Sequence, residues 1–140
     1  MIDKTIVNQR LAAIISYCTE LKKLSVLPFS EFVDAKNAAA SESFLRRSLE
    51  AVFDVGRHIL SKTGGVELAR EYRSIAKGLV IRGIVSEELG ETLSKMAGYR
   101  NRLVHLYHEV QSEELHFVLN NHLDDIYDFV RQISRYLGTI

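Results

Sequence analysis

The sequence predicts an all-α protein: an up-and-down bundle of four to six helices in a single domain over residues 1–140. Three observations lead there. Apolar residues recur at helical spacing along nearly the whole chain, and no stretch alternates with the period of a strand. The pattern breaks where helices stop and start, at Pro28, Gly64-Gly65, Gly83 and the serines that precede paired acids. At 140 residues the chain is long enough to bury a real core and short for two ordinary domains.

In chain order, Val7, Leu11, Ile14, Cys18 and Leu21 form one stripe and predict a first helix over residues 3–25. Pro28, the only proline, disfavours helical geometry at Leu27; beyond it, Ser30 with Glu31 is expected to cap a short turn through Phe32 and Val33. A long helix follows from about 37 to 62, with Leu45, Leu49, Val52, Gly56 and Ile59 on one face and Phe44, Ala51 and Val55 on another. Two apolar faces imply that it is central, or that a partner covers its outer side. Gly64-Gly65 ends it. Leu68, Tyr72, Ile75 and Leu79 predict a shorter helix to about Arg82, where Gly83 breaks the run. Ser86 before Glu87 and Glu88 reads as an N-cap with a first turn suited to the helix dipole. Leu89, Leu93, Met96 and Val104 carry that helix onward. Ser112 with Glu113 and Glu114 is expected to cap one last helix, whose stripe is Leu115, Leu119, Ile126, Val130, Ile133 and Leu137.

Composition narrows the function. Apolar residues make up 46% of the chain and charged residues 26%, which excludes disordered and fibrous classes. Cys18 is the only cysteine, so no intramolecular disulfide forms, in keeping with a reducing cytoplasm; its place on the first helix's apolar stripe marks a core thiol rather than a nucleophile. The start has no charged segment followed by an apolar one, and no apolar run reaches the length of about eighteen residues that a membrane helix needs. A cytoplasmic protein with no membrane partner is expected. Zero net charge argues against general DNA coating. Residues 111–140 hold five acids against two arginines, however, leaving a surplus of three positive charges on residues 1–110 for a locally basic surface that RNA can meet.

One run carries more chemistry than a core needs: Gly98-Tyr99-Arg100-Asn101-Arg102-Leu103-Val104-His105-Leu106-Tyr107-His108-Glu109-Val110. On a straight helix Asn101, His105 and His108 share one face and Arg100 with Tyr107 another, with Arg100 and His105 about 140° apart. Those two meet on one small ligand only if the helix bends or ends here, or if a second copy of the chain supplies half of the site. Arginine offers a fork of donors matched to phosphate oxygens, and histidine gives or takes a proton near neutrality. Together they suffice for metal-free RNA cleavage, with histidine acting on the ribose 2′-hydroxyl or the leaving oxygen and arginine stabilising the more negative transition state. The plainer alternative is that both residues bond the last carbonyls of a helix and complement its dipole. His105 and His108, at i and i+3 with the acid Glu109 beside them, also have a spacing that can share a cation, though no further ligand follows nearby. Elsewhere, Arg70, Arg73 and Lys77 at i, i+3, i+7 could hold RNA phosphates, or pair with Glu67 and Glu71 on a solvated face. His122 reads as an edge or packed histidine, and His58 and His116 lack a partner pattern.

The run from Met96 to Tyr107 resembles the R-x-x-x-x-H-x-Y signature of the HepT-like toxins, a branch of the HEPN ribonuclease superfamily. Arg100, Asn101, His105 and Tyr107 all fall at motif positions, with Gly98 two residues ahead; the rest of the chain fits by length and helix order. The resemblance implies a HEPN-like bundle that dimerises and cuts RNA without metal or cofactor. It implies Arg100 and His105 as catalytic residues, with Asn101 and Tyr107 in support. It also implies a nucleotidyltransferase antitoxin as partner, which transfers AMP to Tyr107 and leaves an O-AMP-tyrosine. The rival reading is a catalytically silent helical subunit that binds a nucleotide or a nucleotidyltransferase, with Arg100 and His105 gripping phosphate and never cutting it.

Overall fold

Asp3 starts the first helix by accepting a hydrogen bond from the Ile6 N–H at 3.1 Å, satisfying one of the donors that a helix N-terminus leaves open. The computed structural model describes the backbone of residues 1–140 and every side chain except that of Tyr107. The described residues form seven α-helices and no strand. These are α1 (Lys4–Ser25), α2 (Phe29–Phe32), α3 (Ala35–Lys62), α4 (Tyr72–Ile81), α5 (Glu87–His105), α6 (Ser112–Asn121) and α7 (Leu123–Leu137), with 3-10 turns at Val66–Ala69 and Tyr107–Glu109. Buried side chains from all of the α-helices join one hydrophobic cluster.

The middle of that cluster is α3, which packs against every other α-helix. Its second apolar face is accounted for within the chain: Val55 is fully buried, and Phe44 and Ala51 are half-buried against the core. No second copy is needed to cover it. The two serines on its buried face, Ser41 and Ser48, turn their hydroxyls back to the Asn37 and Phe44 carbonyls at 2.8 Å, so neither leaves a polar group unsatisfied. In α1 the buried residues are the five of the expected stripe. Cys18 is among them, and burial pushes its thiol up to about 11, as befits a core residue and not a nucleophile.

The all-α expectation holds, with a helix count above four to six for two local reasons. The segment after Pro28 is a separate four-residue helix, capped by Pro28 without a side-chain bond, so Ser30 lies inside it and caps nothing. The expected single last helix is two, broken at His122, whose backbone (φ −125°, ψ 2°) leaves helical geometry. Asn120 and Asn121 turn their amides back to the His116 and Phe117 carbonyls just before the break, the local competition that makes asparagine a poor helix former. Gln111 and not Ser112 precedes α6. Leu68 belongs to the 3-10 turn, and α4 begins only at Tyr72. Gly64 and Gly83, at φ +84° and +70°, take the left-handed conformation that follows α3 and α4.

Candidate active site

Two helices build the site, α5 and the start of α4. Ser86 caps α5 as expected, its hydroxyl accepting from the Leu89 N–H at 3.1 Å, with Glu87 and Glu88 in the first turn. The core-facing stripe of α5 runs through Leu89, Leu93, Met96 and Leu103. Residue 100 lies on the same stripe, four after Met96 and three before Leu103, so the helical period turns Arg100 toward the protein. Val104, the expected stripe residue, is only half-buried, and Leu103 takes the core position.

A guanidinium on a core-facing stripe must be matched by partners, and Arg100 is. Its Nη2 donates to Glu50 Oε2 of α3 at 3.2 Å, and its Nη1 donates to Asn101 Oδ1 at 3.3 Å. The guanidinium carbon lies 4.8 Å from the centroid of the Tyr72 ring, within cation–π range. That ring in turn stacks on Phe53 in the core, at 4.5 Å and nearly parallel. Glu50 is itself oriented by Arg46, which donates to Oε1 at 3.0 Å. The Arg100 Nε is buried with no hydrogen-bond partner among the described residues. These sideways partners displace the helix-capping alternative for Arg100.

His105 is the last residue of α5, exposed, with no hydrogen bond or ion pair among the described residues. The expectation of a helix continuing through Tyr107 does not hold: Leu106 closes it, donating its N–H to the Arg102 carbonyl at 2.8 Å. Tyr107 therefore lies in the following 3-10 turn and not on the Arg100 face of a helix, and its side chain is outside the described residues. His108 likewise leaves the face shared by Asn101 and His105. Arg102 turns away from the site: it makes a bidentate pair with Glu114 of α6 at 2.7 and 3.0 Å. Tyr99 packs beside that pair, its hydroxyl held in the neutral form first by burial and then by the Glu114 charge.

A cleft of about 390 Å³ opens where α4 begins beside α5, lined by Arg70, Glu71, Tyr72, Arg73, Arg100 and Asn101. It thus joins two motif residues to two arginines singled out separately in the sequence. His105 is not among its lining residues. Arg70 precedes α4, so the one-face spacing with Arg73 and Lys77 does not apply. The ion pairs that would neutralise these cations do not form: neither Arg70 nor Arg73 has a carboxylate partner among the described residues. Arg73 crosses to α5, where its Nη2 sits 3.3 Å from the position a Cβ of Gly98 would occupy. Glu50, which holds Arg100, has no role in the sequence reading, and Tyr72 figures there only as a helix-stripe residue; the one available signal is a charged residue falling on an apolar period.

The remaining histidines have structural roles. His58 accepts from the Asp3 N–H at 3.2 Å and is kept neutral, first by burial and then by Lys62 and Arg10. His116 packs between Phe29 and Phe32. His122 is the edge residue expected, pairing with Asp125 at 3.2 Å. Among the described residues no three His, Cys, Asp or Glu side chains gather as metal ligands would. No helix is long and apolar enough to cross a membrane.

The chain is similar to known proteins in sequence and fold. A tRNA nuclease HepT of Aphanizomenon flos-aquae is 27% identical over 140 residues, spanning 99% of this chain and 95% of that protein. An mRNA nuclease HepT of Shewanella oneidensis is 29% identical over 90 residues, 64% of this chain and 67% of that one. Among solved structures, a tri-AMPylated HEPN toxin of Shewanella oneidensis in complex with an MNT antitoxin superposes with a TM-score of 0.81 at 25% identity, over 93% of this chain and 97% of that one. The model of the family described as "Ribonuclease HepT-like" matches residues 14–133, which include every cleft residue and the motif from Arg100 to Tyr107, and the chain belongs to that ribonuclease family.

Proposed function

We propose that this protein is a cytoplasmic toxin, a metal-independent endoribonuclease in which Arg100 and His105 cut RNA, and that a nucleotidyltransferase antitoxin neutralises it by AMP transfer to Tyr107. The observation that carries the reading is the contrast between the two motif residues. Arg100 is fixed by Glu50, Asn101 and Tyr72, while His105 stands exposed at the helix end with no hydrogen bond or ion pair among the described residues. A fixed cation suits a group that stabilises charge without moving; an unencumbered imidazole suits one that must exchange protons with substrate. His105 takes the proton of the 2′-hydroxyl or supplies one to the leaving oxygen. Asn101 holds Arg100 in register. AMP units on Tyr107 bring phosphodiester charge and bulk to the motif, so RNA is excluded on both counts. The two curated relatives carry the names of tRNA and mRNA nucleases, and RNA is the substrate class common to both.

Cleavage of RNA by purified protein in excess chelator tests the reading. His105→Ala and Arg100→Ala are each expected to abolish it with the helical circular-dichroism signal intact, general acid–base catalysis alone being worth roughly 10²–10⁴ in rate. A folded His105→Ala protein that cuts at the wild-type rate would remove His105 from the catalytic machinery. One observation favours the rival, a silent phosphate-gripping subunit: the cleft takes Arg100 and Asn101 without His105. Turnover separates the two. Co-expression with the nucleotidyltransferase should add AMP masses to the Tyr107 peptide, and an unmodified Tyr107 in neutralised protein would replace covalent by steric inhibition.

A further inference from the structure

Beyond the motif, we propose that Arg70 and Arg73 form a subsite for a backbone phosphate of the RNA next to the one that is cut. The inference rests on the ribonuclease reading above and adds to it a binding element that the motif does not contain. Three guanidinium groups line the cleft, those of Arg70, Arg73 and Arg100, against the single lining carboxylate of Glu71. Of the three, only Arg100 is matched by a carboxylate, that of Glu50. Arg70 and Arg73 are exposed and lack hydrogen-bond or ion-pair partners among the described residues, so their forks are open to a ligand. A pair of unpaired arginines in a concave site fits a phosphodiester, whose oxygens accept the paired N–H donors of a guanidinium.

Geometry places the subsite relative to the reacting groups. Arg73 lies over Gly98, and Gly98, Asn101 and His105 fall on one face of α5 at i, i+3 and i+7. Gly98 and His105 are separated by about 10 Å along the helix axis, from seven residues at 1.5 Å each. That is too far for one phosphate to touch Arg73 and His105 together. Arg73 and Arg70 therefore hold a phosphate displaced along the strand from the one at which histidine acts. The absence of a side chain at Gly98 leaves room for the Arg73 guanidinium to rest on the helix between strand and backbone.

The test uses His105→Ala protein, so that the probe survives, and a short fluorescent single-stranded RNA titrated at several salt concentrations. Adding Arg70→Ala and Arg73→Ala is expected to raise Kd by about tenfold at moderate salt, as loss of charge-assisted bonds to phosphate does. It is also expected to lower the slope of log Kd against log salt by about 0.7, the value for one single-strand phosphate contact. Arg73→Lys should recover the salt slope, since charge is kept, and only part of the affinity. With His105 restored, the double variant should lose activity through KM and not kcat. Unchanged Kd and salt slope would overturn the subsite, as would parent protein that binds no RNA. Should the intact chain fail to cut RNA while the arginine variants still weaken binding, the catalytic reading falls and the subsite stands.

Discussion

Tyr72 is the residue on which the placement of Arg100 most depends, and replacing it separates support from chemistry. The Arg100 guanidinium carbon sits 4.8 Å from the ring centroid, and Phe53 stacks on the ring at 4.5 Å. For a half-buried site the first contact is worth about 0.5–1 kcal/mol and the second about 0.5–1.5 kcal/mol. Tyr72→Leu forfeits both while keeping some apolar volume, a loss of about 1–2.5 kcal/mol, or a fall in Tm of about 3–12 °C for a chain of this length. The larger effect is on rate. Arg100 keeps Glu50 and Asn101 but loses the surface that fixes the plane of its fork, and a displacement of about 1 Å at a reacting group can cost about 10²-fold. Tyr72→Phe keeps the ring and both contacts, and should stay within about threefold of wild type in kcat, the cation–π term being a property of the ring face. Thermal melts followed by circular dichroism give the stability, and initial rates at saturating RNA give kcat. A Tyr72→Leu protein with wild-type kcat would refute the positioning role, and a Tyr72→Phe protein as impaired as Tyr72→Leu would shift the role to the hydroxyl.

Two glycines of α5 should respond oppositely to alanine. At Gly98 a Cβ meets only the far end of Arg73 at 3.3 Å, so Gly98→Ala should stabilise the protein by up to about 1 kcal/mol through helix propensity. At Gly90 it would fall 2.2 Å from the Cγ2 of Val80, a stiff branched side chain on the packed neighbour α4, so Gly90→Ala should cost about 1–3 kcal/mol despite the same propensity gain; chemical denaturation measures both, and equal signs would refute the packing argument. The Tyr99 hydroxyl is buried with no hydrogen-bond partner among the described residues, beside the Glu114 carboxylate that pairs with Arg102. Tyr99→Phe should therefore be neutral or stabilising by about 1 kcal/mol, and a comparable loss would show that the hydroxyl bonds Glu114.

What the sequence reveals of this molecule follows from which forces are local. The α1 stripe from Val7 to Leu21, the Ser86 cap and the glycine stops after α3 and α4 depend on residues a few positions apart, and all appear where the pattern puts them. The break at His122 does not interrupt the pattern: Leu119 and Leu123 are both buried and four apart, so the apolar period runs through it. Only the poor helix formers Asn120 and Asn121 mark the break. The motif residues are legible through resemblance, yet Glu50 and Tyr72 are fifty and twenty-eight positions away from Arg100 in the chain, and only packing of α3 and α4 against α5 brings them together. Arg70 and Arg73 look like part of a solvated face, because nearby Glu67 and Glu71 offer partners that the folded geometry leaves unused.

The spacing of the motif itself bears on assembly. Arg100 and His105 differ by about 140° around the helix and by about 7.5 Å along it, which separates positions at the rim of a side-chain-clad helix by about 13 Å. A phosphate bonded to both needs donor groups within about 6 Å of each other, two hydrogen-bond lengths. The end of α5 at His105 does not close that gap, because Arg100 is held toward α4 and the cleft it lines excludes His105. A two-fold pair supplies the missing half if Arg100 of one copy and His105 of the other face a shared cleft, as closed symmetric dimers allow. Mixing tests this directly. Inactive Arg100→Ala and inactive His105→Ala chains, co-expressed and purified as a mixed dimer, should regain about half of the wild-type activity, since one composite site keeps both groups and the other loses both. If each chain houses its own complete site, mixing restores nothing, and a strictly monomeric protein that cuts RNA refutes the pairing outright.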